Sequence, residues 1–360
     1  MLIAMSGKIG ELRNKKMLNN FRLFNFGQVA FVCRIAFKGA WVKNLRRLVK
    51  SLINLILRPD SPAALIIGVT YKCQYRCHYC STGEYPSDGP VLGTEEIKDA
   101  VDQASALKIS KVNFFGGEPL LREDITELVG HASSRDLFVF LDTNGELLTP
   151  DSLKRLKSAG ITAVCVNTQT KDSCGESDTL DAAAVYRKIE IVARDCKAAG
   201  VPCMFSVYVD NRVLNGDILE NIILLSRRCG ASGVRLLLPI DCGRLKGRRP
   251  AISAFDLKRV HSLIDNYFVY SESMLYGISG GAKVCEAKLK KTVYLSPYGD
   301  VQFCYTVPFC FGNIRKEKLG AIIGRMYSHE LFRLAPGNKC PMNDAGFKEA
   351  LRDPRYSSCD

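Results

Sequence analysis

The chain has 360 residues, of which 47% are hydrophobic and 24% charged, and it carries 50 lysines and arginines against 37 acidic residues. This composition excludes a disordered or low-complexity chain and allows one large core with an appendage, or two medium domains. The fifteen cysteines are odd in number and several stand alone in apolar runs, which disfavours a disulfide framework and favours thiolate ligation in a reducing cytoplasm.

The first predicted unit is a basic arm, residues 1–62, with twelve lysines and arginines against two acidic residues. Apolar residues recur at helical spacing over residues 45–57, which predicts an amphipathic helix that Pro59 and Pro62 end. Such a helix either lies on an anionic membrane surface or packs its apolar stripe on the next domain, and the sequence leaves both open. We recognise no secretory signal and no bilayer-spanning run, so we expect a cytoplasmic protein, with peripheral contact at the inner face of the membrane as the alternative.

The second predicted unit, residues 63–250, alternates short apolar runs with helical periods. Strands are predicted at residues 64–70, 112–115, 138–142, 163–166, 204–209 and 234–238, and helices at residues 95–107, 124–133, 150–159, 181–199 and 217–229. Strands and helices in this alternation predict a parallel sheet covered by helices, hence an α/β barrel, complete or partial. Residues 251–360 form a third unit, which begins with a predicted helix over residues 255–267.

Three closely spaced cysteines follow the first predicted strand directly. Cys73, Cys77 and Cys80 have the spacing C-x3-C-x2-C. Three thiolates can bind three irons of a 4Fe–4S cluster and leave the fourth iron open to a cofactor. Zinc is the alternative, because clustered cysteines also form tetrahedral zinc sites, for which His78 could supply a fourth ligand. The spacing favours the iron–sulfur site.

Two further motifs follow the next two predicted strands. They are Gly116-Gly117-Glu118-Pro119 and Asp142-Thr143-Asn144-Gly145. Together with the cysteine loop, whose last cysteine follows the aromatic residue Tyr79, they resemble the signature, GGEP and TNG motifs of the radical S-adenosylmethionine (radical SAM) superfamily. The resemblance covers residues 64–238.

The resemblance implies a partial (β/α)6 TIM-type barrel in which SAM chelates the open iron of a 4Fe–4S cluster on Cys73, Cys77 and Cys80. Reductive cleavage of SAM then gives a 5′-deoxyadenosyl radical that abstracts hydrogen from a substrate C–H bond. It assigns SAM contacts to Tyr79, Gly116, Gly117, Glu118, Pro119, Asn144, Asn167 and Ser206. One departure concerns the fourth strand, where Asn167-Thr168-Gln169 replaces the Ser-Leu-Asp of relatives and removes a carboxylate. The alternative for Ser206 is a structural role, in which its hydroxyl makes a hydrogen bond with the backbone of its own strand.

The third unit contains Cys285, Gly299 and Cys304 in the form C-x13-G-x4-C, across a predicted hairpin of residues 292–295 and 301–304. This pattern resembles the opening of the SPASM and Twitch extensions, in which a hairpin presents cysteines to an auxiliary cluster. The resemblance implies one auxiliary 4Fe–4S cluster on Cys285, Cys304, Cys310 and Cys340, with Cys359 as a substitute for either of the last two. The other cysteines lack ligand spacing and are predicted to be small buried hydrophobes or surface thiols: Cys33, Cys165, Cys174, Cys196, Cys203, Cys229 and Cys242.

A basic loop, residues 241–249, follows the sixth predicted strand and would lie over the barrel mouth. Its four cations could grip a phosphate or carboxylate of the substrate, or could be solvated.

The first functional hypothesis is a radical SAM enzyme that modifies a peptide or natural product, with a lipid or membrane-associated substrate as the alternative. A flavodoxin or ferredoxin would supply the electron. A hypothesis of another class is an iron–sulfur electron-transfer protein or a zinc-binding interaction protein, which leaves the glycine-rich and TNG motifs unexplained. Nucleic-acid binding is disfavoured because the positive charge accompanies an apolar stripe rather than a platform for stacking bases. If hydrogen is returned to the substrate, Cys310 or Tyr305 could supply it.

Overall fold

The computed structural model describes residues 41–58, 61–175, 179–248, 252–265, 267–271, 275–276, 283–337 and 339–353. Predictions for residues 1–40, including Cys33, and for Cys359 lie outside the described residues.

The core of the fold is a parallel sheet whose first seven strands pair in chain order. They are β1 (Ala64–Thr70), β2 (Lys111–Gly116), β3 (Phe138–Thr143), β4 (Ala163–Asn167), β5 (Cys203–Tyr208), β6 (Val234–Leu237) and β7 (Val269–Ser271). The six predicted strands are confirmed, each with its ends within a residue of the prediction. Their apolar side chains are buried almost throughout, as expected for strands covered on both faces.

Helices connect the strands and cover the sheet. They are α1 (Trp41–Leu57), α2 (Thr94–Ala106), α3 (Ile125–Ser134), α4 (Pro150–Ala159), α5 (Ala182–Ala199), α6 (Asn211–Leu214), α7 (Ile218–Arg228), α8 (Ala254–Leu263), α9 (Leu319–Ser328), α10 (Glu330–Leu334) and α11 (Ala345–Ala350). The helix predicted to reach residue 267 ends four residues earlier, at Leu263. The reason is Asp265, whose Oδ1 accepts hydrogen bonds from the backbone N–H groups of Tyr267, Phe268 and Val269 and leads the chain into β7.

The C-terminal hairpin extends the same sheet. Strand β10 (Thr292–Leu295) pairs in parallel with β1, with Ala64 opposite Thr292. Strands β11 (Asp300–Gln302) and β12 (Cys310–Asn313) then add antiparallel partners at that edge. The hairpin predicted as a separate small unit therefore covers the edge of β1, whose backbone groups would otherwise lack partners. A two-stranded sheet of β8 (Leu275–Tyr276) and β9 (Lys283–Val284) lies apart from it.

The described strands of the main sheet run from β12 to β7 without those two edges pairing. This open parallel sheet with helices on it agrees with the predicted partial barrel. The carboxyl ends of β1 to β6 lie at one edge of the sheet, where open α/β folds bind their ligands.

Helix α1 is amphipathic as predicted, but its polar side contacts the barrel. Arg47 is 2% exposed and its guanidinium donates to the carbonyl oxygen and the Oγ of Ser133, both at 3.0 Å. Asn54 donates to the carbonyl oxygen of Lys108 at 3.1 Å. The exposed apolar side chains of this helix are Val42, Leu45, Val49, Ile53 and Leu57. Leu45, Val49, Ile53 and Leu57 of the predicted apolar stripe therefore do not pack on the barrel, whereas Leu48 and Leu52 are half-buried. None of the helices in the described part of the chain is both long and apolar enough to cross a membrane.

Candidate functional site

A cavity of about 440 Å³ lies at the carboxyl ends of the parallel strands. The cavity is lined by the loop after β1, the ends of β2, β3, β4 and β5, and the loop after β6. Tyr305 of the C-terminal hairpin also lines it. The three motifs that the sequence places at strand ends thus meet around one space. The predicted partial barrel explains this, because successive parallel strands bring their ends to the same edge.

The cysteines of the loop after β1 all line this cavity. Cys73 is exposed, whereas Cys77 and Cys80 are half-buried. The Sγ of Cys73 accepts hydrogen bonds from the backbone N–H of Tyr75 at 3.4 Å and from the side-chain amide of Asn144 at 3.8 Å. Burial raises the pKa of the Cys73 thiol, and the N–H of Tyr75 opposes that shift. Three thiols on one cavity wall are a donor set that fits a 4Fe–4S cluster.

No three histidine, cysteine or acidic side chains in the described ranges are grouped closely enough to hold a single metal ion.

Glu118 joins the GGEP segment to the TNG turn. Its carboxylate is fully buried and accepts hydrogen bonds from the hydroxyl of Thr143 at 2.8 Å, the backbone N–H of Leu120 at 3.0 Å and the backbone N–H of Asn144 at 2.8 Å. Burial raises the pKa of Glu118, while the N–H groups of Asn144 and Leu120 lower it. The glutamate therefore acts on the shape of the site by fixing two turns.

The two glycines of GGEP lie against the loop that carries the cysteines. The N–H of Gly117 donates to the carbonyl of Thr70 at 2.6 Å, and the N–H of Glu118 donates to the carbonyl of Lys72 at 2.8 Å. A Cβ at Gly116 would overlap the backbone of Thr70, and one at Gly117 would overlap the backbone of Lys72. The two glycines therefore allow a close approach between two backbone segments of the protein, the GGEP segment and the start of the cysteine loop.

Tyr79 is held by the residues where the sequence departs from the family. The side-chain amide of Asn167 donates to the Tyr79 hydroxyl at 2.7 Å, and that hydroxyl donates to the Oε1 of Gln169 at 3.2 Å. The ring stacks on Tyr208, with centroids 4.0 Å apart. Burial raises the pKa of Tyr79 well above its usual value. Asn167 and Gln169 therefore orient the aromatic residue of the cysteine loop, and a SAM contact by Asn167 remains a prediction.

A buried ion pair lines the cavity, and no sequence motif predicts it. Arg235 contacts Asp142 through its guanidinium and donates to the Oγ of Ser206 at 2.9 Å. Asp142 also accepts a hydrogen bond from the side-chain amide of Asn113. Both charged side chains are about nine-tenths buried, and both line the cavity. Ser206 thus has a side-chain partner, and its predicted SAM contact stays a prediction.

The segment after β4 is fastened to the cysteine loop. Arg212 pairs with Asp210 at 2.7 Å and donates to the carbonyl oxygen of Ser173 at 3.2 Å. The backbone N–H of His78 donates to the carbonyl of Cys174 at 2.9 Å. Cys174 was predicted to be a small buried hydrophobe or a surface thiol. Its side chain makes a hydrogen bond with Cys77, and this bond lowers the pKa of Cys174. It is a neighbour of the cluster loop that sequence spacing could not reveal.

Three of the four thiols predicted for an auxiliary cluster are neighbours. Cys285 and Cys340 are buried, and Cys304 accepts a hydrogen bond from the hydroxyl of Thr306 at 3.3 Å. Burial is the largest cause that raises the pKa of Cys304 to about 12 and that of Cys340 to about 11, and the nearby Cys285 thiol contributes to both shifts.

Cys310 differs from these three. It is disulfide-bonded in this structure. Its predicted role as a cluster ligand therefore stays a prediction, while the donor set of Cys285, Cys304 and Cys340 fits an iron–sulfur cluster.

The basic loop after β6 lies at the cavity, as expected, but its first arginine binds the protein. Arg244 donates from its guanidinium to the carbonyl of Cys77 at 3.2 Å and from its backbone N–H to the carbonyl of Cys80 at 3.1 Å. Gly243 has a φ of 51° and touches the backbone at Cys80 and Ser81, which a side chain there would prevent. Arg244 thus supports the cysteine loop.

Two family models match the chain. The radical SAM superfamily model matches residues 67–220, and the SPASM model, an iron–sulfur cluster-binding domain, matches residues 285–359.

Relatives that are similar in sequence agree with these matches. The chain is 30% identical over 175 residues to a PqqA peptide cyclase of Granulibacter bethesdensis, which covers 48% of this chain and 46% of that protein. It is 26% identical over 298 residues to the mycofactocin maturase MftC of Mycolicibacterium smegmatis, which covers 76% of this chain and 72% of that protein. The chain thus spans less than half of the PqqA peptide cyclase that it matches.

The fold is similar to that of Streptococcus suis SuiB bound to S-adenosylmethionine, with a TM-score of 0.60 at 15% identity over 81% of this chain and 72% of that one. The three motifs at the cavity lie inside the region matched by the first model, and Cys285, Cys304 and Cys340 lie inside the second. The cavity is also lined by residues beyond the first model, from Arg235 to Leu245 and at Tyr305. The chain therefore carries a radical SAM domain over residues 67–220 and a C-terminal SPASM iron–sulfur domain over residues 285–359.

Proposed function

We propose that this chain cleaves SAM at a 4Fe–4S cluster on Cys73, Cys77 and Cys80 and modifies a peptide bound in the cavity. The observation that carries the proposal is the cavity itself, which is lined by the three cysteines of the loop after β1 and also by Tyr305 of the C-terminal hairpin. Cys73, Cys77 and Cys80 would hold the cluster, which would supply the one-electron chemistry for reductive cleavage of SAM and hence for hydrogen abstraction from the substrate.

The chain's own residues would position the reactants. Gly116 and Gly117 expose backbone at the cavity wall, where the amino group of SAM would bind, and Glu118 fixes that segment against Asn144. Tyr79, held by Asn167, offers an oriented aromatic residue beside the last cysteine. These contacts would hold SAM and the substrate close together for the reaction.

A peptide is the substrate class best supported by the relatives. One of the similar proteins is named a PqqA peptide cyclase, and SuiB has been crystallised with a precursor peptide. We extend this to the present chain as a peptide modification of unspecified type. The one-electron reductant is expected to be a flavodoxin or ferredoxin.

The substrate class can be tested with deuterium. Cells grown in heavy water would be separated into a small-peptide fraction and a lipid extract, and each would be given to the reconstituted enzyme with SAM and dithionite. The proposal predicts deuterated 5′-deoxyadenosine from the peptide fraction, lost after protease treatment of that fraction. Deuterium from the lipid extract alone would contradict it.

A lipid or membrane-associated substrate is the second candidate, because one observation favours it. The exposed apolar side of α1 points away from the barrel, on a helix that belongs to a basic arm. Such a surface suits the interface of an anionic bilayer.

A further inference from the structure

The auxiliary thiols leave a place for one more ligand. Cys285, Cys304 and Cys340 are three neighbouring thiols, and a 4Fe–4S cluster held only by protein takes four. The residue three positions after Cys340 is Asn343, so a fourth cysteine at C-x2-C spacing is missing.

Asn343 instead fastens a barrel loop to the turn at Cys340. Its Oδ1 accepts a hydrogen bond from the backbone N–H of Asp241 at 3.0 Å, and its own backbone N–H donates to the carbonyl of Cys340 at 2.9 Å. Lys348 of α11 pairs with the carboxylate of Asp241. The chain at Asp241 is therefore tied on two sides to the segment that carries Cys340.

Cys242 is the next residue, and it faces the same region. Its side chain is 5% exposed and lines the cavity. The thiols that act on it electrostatically are Cys340, then Cys304, then Cys80 of the first loop. Cys242 thus lies near Cys340 and Cys304, and it lines the cavity together with Cys80.

The other unassigned cysteines in the described residues have different surroundings. The thiols of Cys196 and Cys203 make a hydrogen bond with each other, and the thiol of Cys165 contacts the sulfur of Met204 at 3.9 Å. The thiol of Cys174 makes a hydrogen bond with that of Cys77, and Cys229 is half-buried at the end of α7.

We propose that Cys242, from the loop after β6, is the fourth ligand of the auxiliary cluster formed with Cys285, Cys304 and Cys340. The inference rests on the auxiliary cluster of the proposed function. Ligation would replace the proton of the Cys242 thiol by an iron bond and would join the barrel to the C-terminal domain through the cluster. It would also place the auxiliary cluster at the cavity wall, beside the loop of Cys80.

The test uses the full chain with Cys73, Cys77 and Cys80 replaced by alanine, so that only the auxiliary site can bind iron. Into this background Cys242→Ala, Cys242→Ser, Cys310→Ala and the control Cys229→Ala would be introduced one at a time. Iron and sulfide per chain, and the EPR and Mössbauer spectra after anaerobic reconstitution, are the readouts. Circular dichroism checks that each variant is folded.

The proposal predicts about four irons per chain in the background and in the Cys229→Ala and Cys310→Ala variants. It predicts iron loss for Cys242→Ala and an altered spectrum for Cys242→Ser, since a hydroxyl oxygen would replace one sulfur ligand. Normal iron and spectra in both Cys242 variants, with loss in Cys310→Ala, would overturn it in favour of Cys310. A background without iron would overturn both the inference and the auxiliary cluster, whereas SAM cleavage by the intact enzyme would still support the radical SAM site.

Discussion

The buried carboxylate of Glu118 accepts a hydrogen bond from the backbone N–H of Asn144 at 2.8 Å. This contact joins the ends of β2 and β3, and the amide side chain of the same Asn144 reaches the Sγ of Cys73. One glutamate thus connects the glycine-rich segment to the turn that touches the first cysteine.

Replacement of Glu118 by glutamine should lower the stability of the chain. The neutral amide presents one N–H₂ group where only donors face it, so at least one buried donor loses its acceptor. We expect the free energy of unfolding to fall by about 1–3 kcal/mol. Urea denaturation of the cluster-free protein measures this directly.

The matched control for that experiment is Glu123→Gln, because Glu123 is exposed. It should change the unfolding free energy by no more than about 0.5 kcal/mol. Equal effects of the two substitutions would mean that the hydrogen bonds of Glu118 do not stabilise the site.

Gly117→Ala should disturb the cysteine loop. The new Cβ would overlap the backbone carbonyl of Lys72, which cannot move without shifting the loop toward Cys73. We expect lower iron retention at the first site and a lower melting temperature. Anaerobic iron analysis and a thermal melt would measure both.

Gly324→Ala is the control for the glycine substitution. Gly324 lies within α9, and a Cβ there meets nothing within 4 Å. Since alanine is favoured over glycine in a helix by roughly 0.5–1 kcal/mol, this variant should be at least as stable as the parent and should keep its iron. A loss of iron here as well would remove the steric explanation for Gly117.

The ion pair of Arg235 and Asp142 should behave as one unit. Removing either partner leaves a buried charge without its counterpart, which costs about 3–5 kcal/mol for a fully buried pair. Arg235→Gln and Asp142→Asn should each destabilise the chain, while the double variant should lose less than the sum of the two. A double-mutant cycle in urea measures the difference, and strict additivity would show that the two side chains do not interact.

The outward side of α1 should bind anionic vesicles. Leu45, Val49 and Ile53 are between 40% and 48% exposed on this helix. Flotation with phosphatidylserine-containing vesicles should recover the chain at low salt, and Val49→Glu with Ile53→Glu should abolish that recovery.

Ile191→Glu is the control for the vesicle experiment, because Ile191 is also 48% exposed but lies on α5. It should leave flotation unchanged. Loss of binding in this variant too, or no binding by the parent, would contradict a membrane role for α1.

Local sequence patterns were sufficient for the parallel strands. Each predicted strand is a short apolar run, and burial on both faces of the sheet explains why the run is continuous. The pairing of β10 with β1 was not predictable in this way, because Thr292 and Ala64 are far apart in the chain and no local signal specifies a distant edge.

The orientation of α1 shows another limit. An apolar stripe predicts an amphipathic helix, but the partners of Arg47 and Asn54, namely Ser133 and Lys108, are set by the folded surface. Periodicity alone therefore left open which side of the helix contacts the barrel.

The three motifs predicted a SAM site because each has a characteristic order and spacing of residues in the sequence. Cys242 and Arg235 have none. Arg235 lies within β6 and Cys242 in the loop after it, and the residues that they meet at the cavity are distant in sequence. Residues of this kind become visible only when the sheet brings the strand ends together.

Iron analysis with EPR tests the central claim most directly, on the intact chain and on the variant with Cys73, Cys77 and Cys80 replaced by alanine. We predict about eight irons falling to about four, with a change in the spectrum on addition of SAM that the variant no longer shows. A SAM-induced change that persists in the variant, or that is absent from the fully loaded intact chain, would contradict a SAM-binding cluster on these three cysteines.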